Sequence, residues 1–203
     1  MRDAALFGEG TYPRKFFKRY IDDLFFIWIG SLEMLLKFLE HLNTLHPTIK
    51  FTWSYSSKKV NFLDVLVMIV NNEIQTDLYR KPTDRCQYLL PSSCHPAHIT
   101  RNIPYSLAYR IIRICSTPEF RDKRLRELRE MLLSRDYRPR SVYSDITRAK
   151  SIPRVKALER VEKKKNNRVV FVITYDPRLP SISNIFRKHH TVMVENHYEG
   201  NFP

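Results

Sequence analysis

Arg19-Tyr20-Ile21-Asp22-Asp23-Leu24-Phe25-Phe26-Ile27-Trp28 places two neighbouring carboxylates between two aromatic, branched runs. Phe16-Phe17 leads in and Leu24 to Ile29 leads out. Such residues suit a pleated, half-buried surface, so the stretch predicts two short strands with the Asp pair at or near a hairpin tip. Two like charges side by side repel unless a cation stands before them. A divalent ion held by carboxylates and a substrate phosphate is one solution. A plain polar turn is the other.

Downstream, Ser31 can cap a helix with Met34 to Leu45 as its body. Leu32, Leu35, Leu36, Leu39 and Leu42 form its apolar stripe, read as core rather than as a partner zipper, and Pro47 ends it. Ile49 to Tyr55 alternates and predicts a half-buried strand. After the turn Ser56 to Lys59, Val60 to Val70 predicts a second strand; after Asn71-Asn72, Glu73 to Arg80 predicts a third. Asp64, inside the second run, is either a third metal carboxylate or, more simply, a structural acid bonded to an amide or a basic neighbour. Leu78 to Arg85 closes the strands with three bases in a turn. Such a turn beside Tyr79 can grip a phosphate backbone, or it can simply be solvated.

From Pro96 the pattern becomes helical and basic. His98 to Asn102 reads as one short helix and Pro104 as the start of the next, to about Cys115, with Arg101, Arg110 and Arg113 left for the outer side. Thr117-Pro118-Glu119 is a helix start, running to about Ser134. Pro139 opens another helix through Val142, Ile146 and Ala149, and Pro153 a further one from Val155 to Lys165. Short helices with proline-marked joints suggest helix-turn-helix character. Lys163, Lys164 and Lys165 form the densest basic run, a nucleic-acid contact or a solvated linker. Val169 to Tyr175 predicts a strand and Ile182 to His190 a short helix.

Composition bounds the function. The chain has 203 residues and a net charge of +14, which favours a polyanionic partner such as nucleic acid. Only four glycines occur and neither phosphate-loop pattern is present, which excludes a Gly-rich nucleotide cradle. Cys86, Cys94 and Cys115 are an odd set that fits a reducing, intracellular compartment. Cys86, Cys94, His95 and His98 have the residue types of a zinc site but no common finger spacing, so no zinc is expected. No apolar run is long enough to span a bilayer, so no membrane partner is expected. Nothing in the sequence sets the oligomeric state. A hairpin near residue 20 has little before it to supply sheet neighbours, and an isolated hairpin is marginal, so a piece of a larger fold is expected.

The order of these elements resembles the second half of a reverse transcriptase. Tyr20-Ile21-Asp22-Asp23, Phe62-Leu63-Asp64-Val65, Asp77-Leu78-Tyr79-Arg80-Lys81-Pro82-Thr83-Asp84, Ser93-Cys94-His95-Pro96 and Ile103-Pro104-Tyr105-Ser106 are similar to strings of Penelope-like retroelement (retrotransposon) enzymes, as are Thr174 to Pro177 and Ile185 to His189. The resemblance implies an α+β fold. An incomplete polymerase palm, of β-hairpin, amphipathic helix and short antiparallel strands, would be followed by a basic, all-helical, thumb-like subdomain. It implies residues 1–85 as palm, 86–166 as the helical nucleic-acid-binding region and 167–203 as connector and tail. It implies RNA-directed DNA polymerase chemistry with Asp22 and Asp23 as catalytic metal ligands. Mg²⁺ or Mn²⁺ would bind only if the missing palm half, with its first Asp and the fingers, were supplied. This chain alone is therefore expected to be inactive. Tyr20, Tyr79, Arg80, Lys81, Arg101, Arg110, Arg113 and Lys163 to Lys165 would touch a template–primer duplex or DNA backbone, in the nucleus rather than the cytoplasm. The alternative is a non-catalytic nucleic-acid-binding protein of helix-turn-helix type.

Overall fold

A computed structural model describes residues 14–160, 174–176, 178 and 182–189. They form a mixed α+β chain with two small antiparallel sheets and six helices. The residues group into two compact units that are not contiguous in sequence. One holds the chain up to Arg85 with Arg110–Arg126; the other holds Cys86–Tyr109 with the chain from Glu127 onward. That the strands belong to a polymerase palm is not carried by anything in this fold.

In the first unit, β1 (Arg14–Tyr20) and β2 (Asp23–Trp28) pair antiparallel around Ile21-Asp22. The hairpin forms where the aromatic runs placed it. Phe26 and Trp28 fall on one face of β2, one residue apart from Phe25 and Ile27 on the other. Phe26 and Trp28 meet Phe38 of helix α1 (Leu32–Thr44) with ring centroids 5.6 and 5.5 Å apart. On the opposite face Phe25 meets Phe62 at 5.4 Å. Aromatic pairs at such separations add about 0.5–1.5 kcal/mol each beyond area burial. Helix α1 starts as the sequence predicts: the Ser31 hydroxyl accepts the Met34 amide at 3.3 Å. Its buried stripe is Leu35, Phe38, Leu39 and Leu42, whereas Leu32 is 52% exposed and Leu36 37% exposed. The stripe is therefore rotated from the all-leucine reading, because the aromatic face of β2 selects Phe38.

Ile49 to Tyr55 is not a strand. Its backbone finds a side chain instead: Asn43 donates to the Phe51 carbonyl at 3.1 Å and accepts the Phe51 amide at 2.6 Å. At Phe51 a side-chain amide satisfies both backbone groups, so that residue needs no ladder partner. The single strand expected over Val60–Val70 is two, β3 (Lys59–Phe62) and β4 (Val65–Val70), followed by β5 (Glu73–Leu78). The break lies at Leu63-Asp64, where Leu63 takes φ 54°. A branched side chain in that region is uncommon, and here neighbours hold it. The Asp64 carbonyl accepts the Tyr79 amide at 2.8 Å, and its carboxylate is bound by Arg110. The second turn is the one the sequence marks. Asn71 and Asn72 both have positive φ, as a two-residue hairpin turn of twist-matched type requires.

Helix α2 (Ala97–Ile114) is continuous, with Pro104 inside it, where the sequence predicts two helices. Helix α3 (Pro118–Leu133) begins at the expected cap, Thr117 Oγ1 accepting the Phe120 amide at 3.3 Å. Helix α4 (Pro139–Lys150) also opens at its proline. Helix α5 (Arg154–Leu158) ends far before the expected Lys165, because Glu159 turns extended at ψ 134°. Thr174 to Asp176 carry no strand, and the rest of the strand expected over Val169–Tyr175 lies outside the described residues. Helix α6 (Ile182–Lys188) matches the expectation for that segment. Among the described residues no helix is long and apolar enough to cross a membrane.

Candidate nucleic-acid interface

The three middle helices are joined by short, well-fastened turns, and the second unit shows how one of them is built. After α3, the Asp136 amide donates to the Leu133 carbonyl at 3.2 Å and the Tyr137 amide to the Leu132 carbonyl at 3.1 Å. Asp136 has φ 61°. This pair of bonds around a left-handed residue is the Schellman end of a helix, which satisfies otherwise orphaned carbonyls. The turn is then tied to the segment before α2. Arg135 donates through Nε and Nη2 to the Tyr88 carbonyl at 3.1 and 2.7 Å, and the Tyr137 hydroxyl donates to the Leu89 carbonyl at 2.8 Å. Burial pushes the Tyr137 phenol above its ordinary pKa, so it remains a hydroxyl donor. The sequence reading missed Arg135 and Tyr137. The signal was an Arg and a Tyr flanking an Asp between two helices, which is indistinguishable from a polar loop until the partner carbonyls are seen.

Helix α4 is seated by Val142 and Ala149, both fully buried and seven residues apart on one face. Arg148 pairs with Asp145 at 3.0 Å and lies 4.0 Å over the Tyr105 ring. Tyr105 stacks on Tyr109, whose hydroxyl donates to the Ala157 carbonyl at 3.3 Å. Opposite the buried face, spaced by four and three, stand Arg140, Ser144 and Thr147, all exposed, with Tyr143 beside them at 69% exposure. Helix α4 has no acid in its first turn, unlike α1 with Glu33 and α3 with Glu119.

In the first unit, Asp77 of β5 organises a buried polar group that sequence reasoning did not isolate. It receives Arg124 through Nε and Nη2 at 3.0 and 2.6 Å and the Leu78 amide at 2.7 Å. The Cys115 thiol donates to it at 3.4 Å. Burial alone would raise the Asp77 pKa, but the Arg124 hydrogen bond, the Leu78 amide and the Arg124 charge outweigh it and hold it below the usual value. Ser116 and Thr76 exchange bonds beside it.

The predicted site residues disperse. Asp22 sits in the hairpin turn and Asp23 opens β2 opposite Tyr20, all three exposed. Among the described residues no group of three or more His, Cys, Asp and Glu side chains is gathered as a metal site would need, so Asp22 and Asp23 have no third ligand there. Asp64 is the structural acid of the simpler reading, since Arg110 Nε donates to it at 2.7 Å and Nη2 also binds it. Arg110 is therefore engaged within the protein rather than left for a ligand. Tyr79 and Arg80 are half-buried and Lys81 is exposed, its carbonyl accepting the Asp84 amide at 2.9 Å. Arg101 and Arg113 are exposed on α2. Lys163, Lys164 and Lys165 lie outside the described residues.

Three helices with tight turns, one of them strapped at its base, define a helical module of helix-turn-helix kind. Comparison with family models supports that class: residues 87–148 match the animal helix-turn-helix domain. No curated protein and no solved structure matches. The match corrects the resemblance to Penelope-like reverse transcriptases, since the family model found is this one, over α2, α3 and most of α4, and no reverse transcriptase family is found.

Proposed function

We propose that this chain is a non-catalytic nucleic-acid-binding protein whose helix-turn-helix module, residues 87–148, holds a duplex mainly through its backbone. The observation that carries the reading is the family match, which falls on a segment with twelve Arg and Lys residues against six acids. Arg110, Arg124, Arg135 and Arg148 are engaged inside the protein. Arg101, Arg113, Arg138 and Arg140 are exposed, and among the described residues they have no ion pair. These four, unlike Lys123, Arg126 and Arg129, which stand among exposed acids on α3, are the cations offered to phosphates. Lys81 adds a further exposed charge from the turn after β5. Phosphate contacts fix register and supply most of the affinity without selecting sequence. A nuclear location agrees with such a partner.

The test is fluorescence anisotropy of the purified chain on a labelled duplex of about 25 base pairs, long enough for two helical turns. The expected result is binding at 50 mM salt that weakens steeply toward 200 mM. No binding at low salt sinks the reading.

A further inference from the structure

We propose that the cavity beside β3 takes one unpaired nucleotide of a single-stranded nucleic acid, with its base stacked on tyrosine and its phosphate at Lys59. The site lies outside residues 87–148 and stands independently of duplex binding by that module.

The cavity measures about 320 Å³ and is lined entirely from the first unit. That is the small end of the roughly 300–1,000 Å³ range of ligand sites, room for one nucleotide and not for a duplex. β3 is an outer strand of its sheet, and it shares the lining with the segment before it. The Ser56 hydroxyl accepts the Lys58 and Lys59 amides at 3.2 and 3.3 Å, which fixes the turn into β3. Val60 and Leu66 supply a half-buried apolar lining. Tyr79 is half-buried, its amide bonded to the Asp64 carbonyl at 2.8 Å, and Tyr55 is 54% exposed. Phenol rings offer faces on which any base can stack. Lys59 and Asn61 add a cation and a carboxamide to the lining. The first suits a phosphate, and the second suits the hydrogen-bonding edge of a base. No acid lines the cavity. Among the described residues no hydrogen bond or ion pair engages the side chains of Tyr55, Lys59, Asn61 and Tyr79. Stacking faces, a cation and an amide, all without partners inside the protein, are the chemistry that recognises an unpaired nucleotide. A paired base keeps its faces in its own stack and its edge in its own pair, so it does not enter.

The test is fluorescence anisotropy of the whole chain on a labelled single strand of about 12 nucleotides, on the same strand with abasic sugars, and on a blunt duplex. The variants are Tyr55→Ala, Tyr55→Phe, Lys59→Ala and, as a charge-matched control on α3, Lys123→Ala. Circular dichroism melts confirm that each variant is folded. Tyr55→Ala is expected to lose about tenfold in affinity for the single strand, and Tyr55→Phe, which keeps the ring, about twofold or less. Duplex affinity is expected to be unchanged in Tyr55→Ala. Lys59→Ala is expected to lower the salt slope of log affinity for the single strand by about 0.7, and Lys123→Ala to leave it unchanged. The abasic strand is expected to bind more weakly, and equally to the unmodified chain and to Tyr55→Ala. A nucleoside monophosphate is expected to compete only at far higher concentration than the strand. Equal binding of the abasic and intact strands, full affinity in Tyr55→Ala, or equal slopes for the two lysine variants overturns the inference while leaving duplex binding standing. A monophosphate that binds as tightly as the strand overturns the strand as the source of the nucleotide. Duplex binding without single-strand binding overturns this inference alone. Single-strand binding that depends on Tyr55, without duplex binding, overturns the duplex reading alone.

Discussion

Asp77 keeps a negative charge where water scarcely reaches, and Arg124 is the reason it can. Their side chains are 7% and 19% exposed. Removing one member of a buried pair leaves the other uncompensated, at a cost of about 3–5 kcal/mol. Arg124→Met is therefore expected to lose about that much, read from urea unfolding at neutral pH. The pH dependence has a definite sign. Asp77 has a folded pKa below its ordinary 3.8, so its contribution is present above that value and is lost as pH falls through the lowered one. In the variant, only the Leu78 amide and the Cys115 thiol oppose burial, and protonation relieves it. The stability gap between the two proteins should narrow on acidification; a gap that stays constant from pH 7 to 3 contradicts the assignment. Cys115 belongs to the same cluster. Burial, with the Asp77 charge added, pushes its thiol up to about 12, which makes it a poor nucleophile. With a thiol reagent at pH 8, Cys94, which is exposed, should react in the native protein and Cys115 only after denaturation. Peptide mapping of the labelled chain distinguishes the two.

At the scale of elements, sequence signals that act locally were legible and those that depend on a distant partner were not. Ser31, Thr117-Pro118 and Pro139 mark helix starts by themselves, and Asn71-Asn72 marks a turn by itself. Leu63-Asp64 carries no turn signature; it turns because Tyr79 and Arg110 converge on Asp64. Pro104 marks a helix start in sequence, yet it is buried within α2, and nothing local announces that. Phe38 was missed because the partner that chooses it lies on β2. For the candidate interface, Arg101 and Arg113 were legible as exposed bases. Arg110 was not distinguishable from them, since its partner stands 46 residues earlier. The helix α3 end offers a measurement. Asp136 occupies the left-handed position that glycine favours, and a β-branched residue there is strained by about 1–2 kcal/mol. Asp136→Val is expected to lower the melting temperature by several degrees, whereas Asp136→Gly should leave it unchanged or raise it. Equal effects of the two would mean that the backbone bonds at Tyr137 do not set the turn.

At the scale of the whole molecule, charge is the sequence feature that stands with or without the likeness to a polymerase. A balance of +14 is compatible with a polymerase fragment or a binding protein, and composition cannot choose between them. Short strings of likeness chose wrongly; a match over residues 87–148 carried more, because it tests spacing over many residues at once. If several phosphates are neutralised, each base removed from the contact set should lower the salt slope of log affinity by about one. Arg101→Ala and Arg113→Ala, titrated from 50 to 200 mM salt, measure that directly, and slopes equal to the unmodified chain exclude those bases from the contact.

The two compact units interleave along the chain, and this bears on how the matched stretch could be inherited or moved. Residues 87–148 are contiguous in sequence, yet Arg110 to Arg126 lie with the strands that precede them. A segment cut at residue 87 leaves Arg124, Cys115 and Ser116 behind without Asp77 and Thr76. A graft of the matched stretch into a foreign host is therefore expected to be less stable than the whole chain unless β5, which carries Asp77 and Thr76, goes with it.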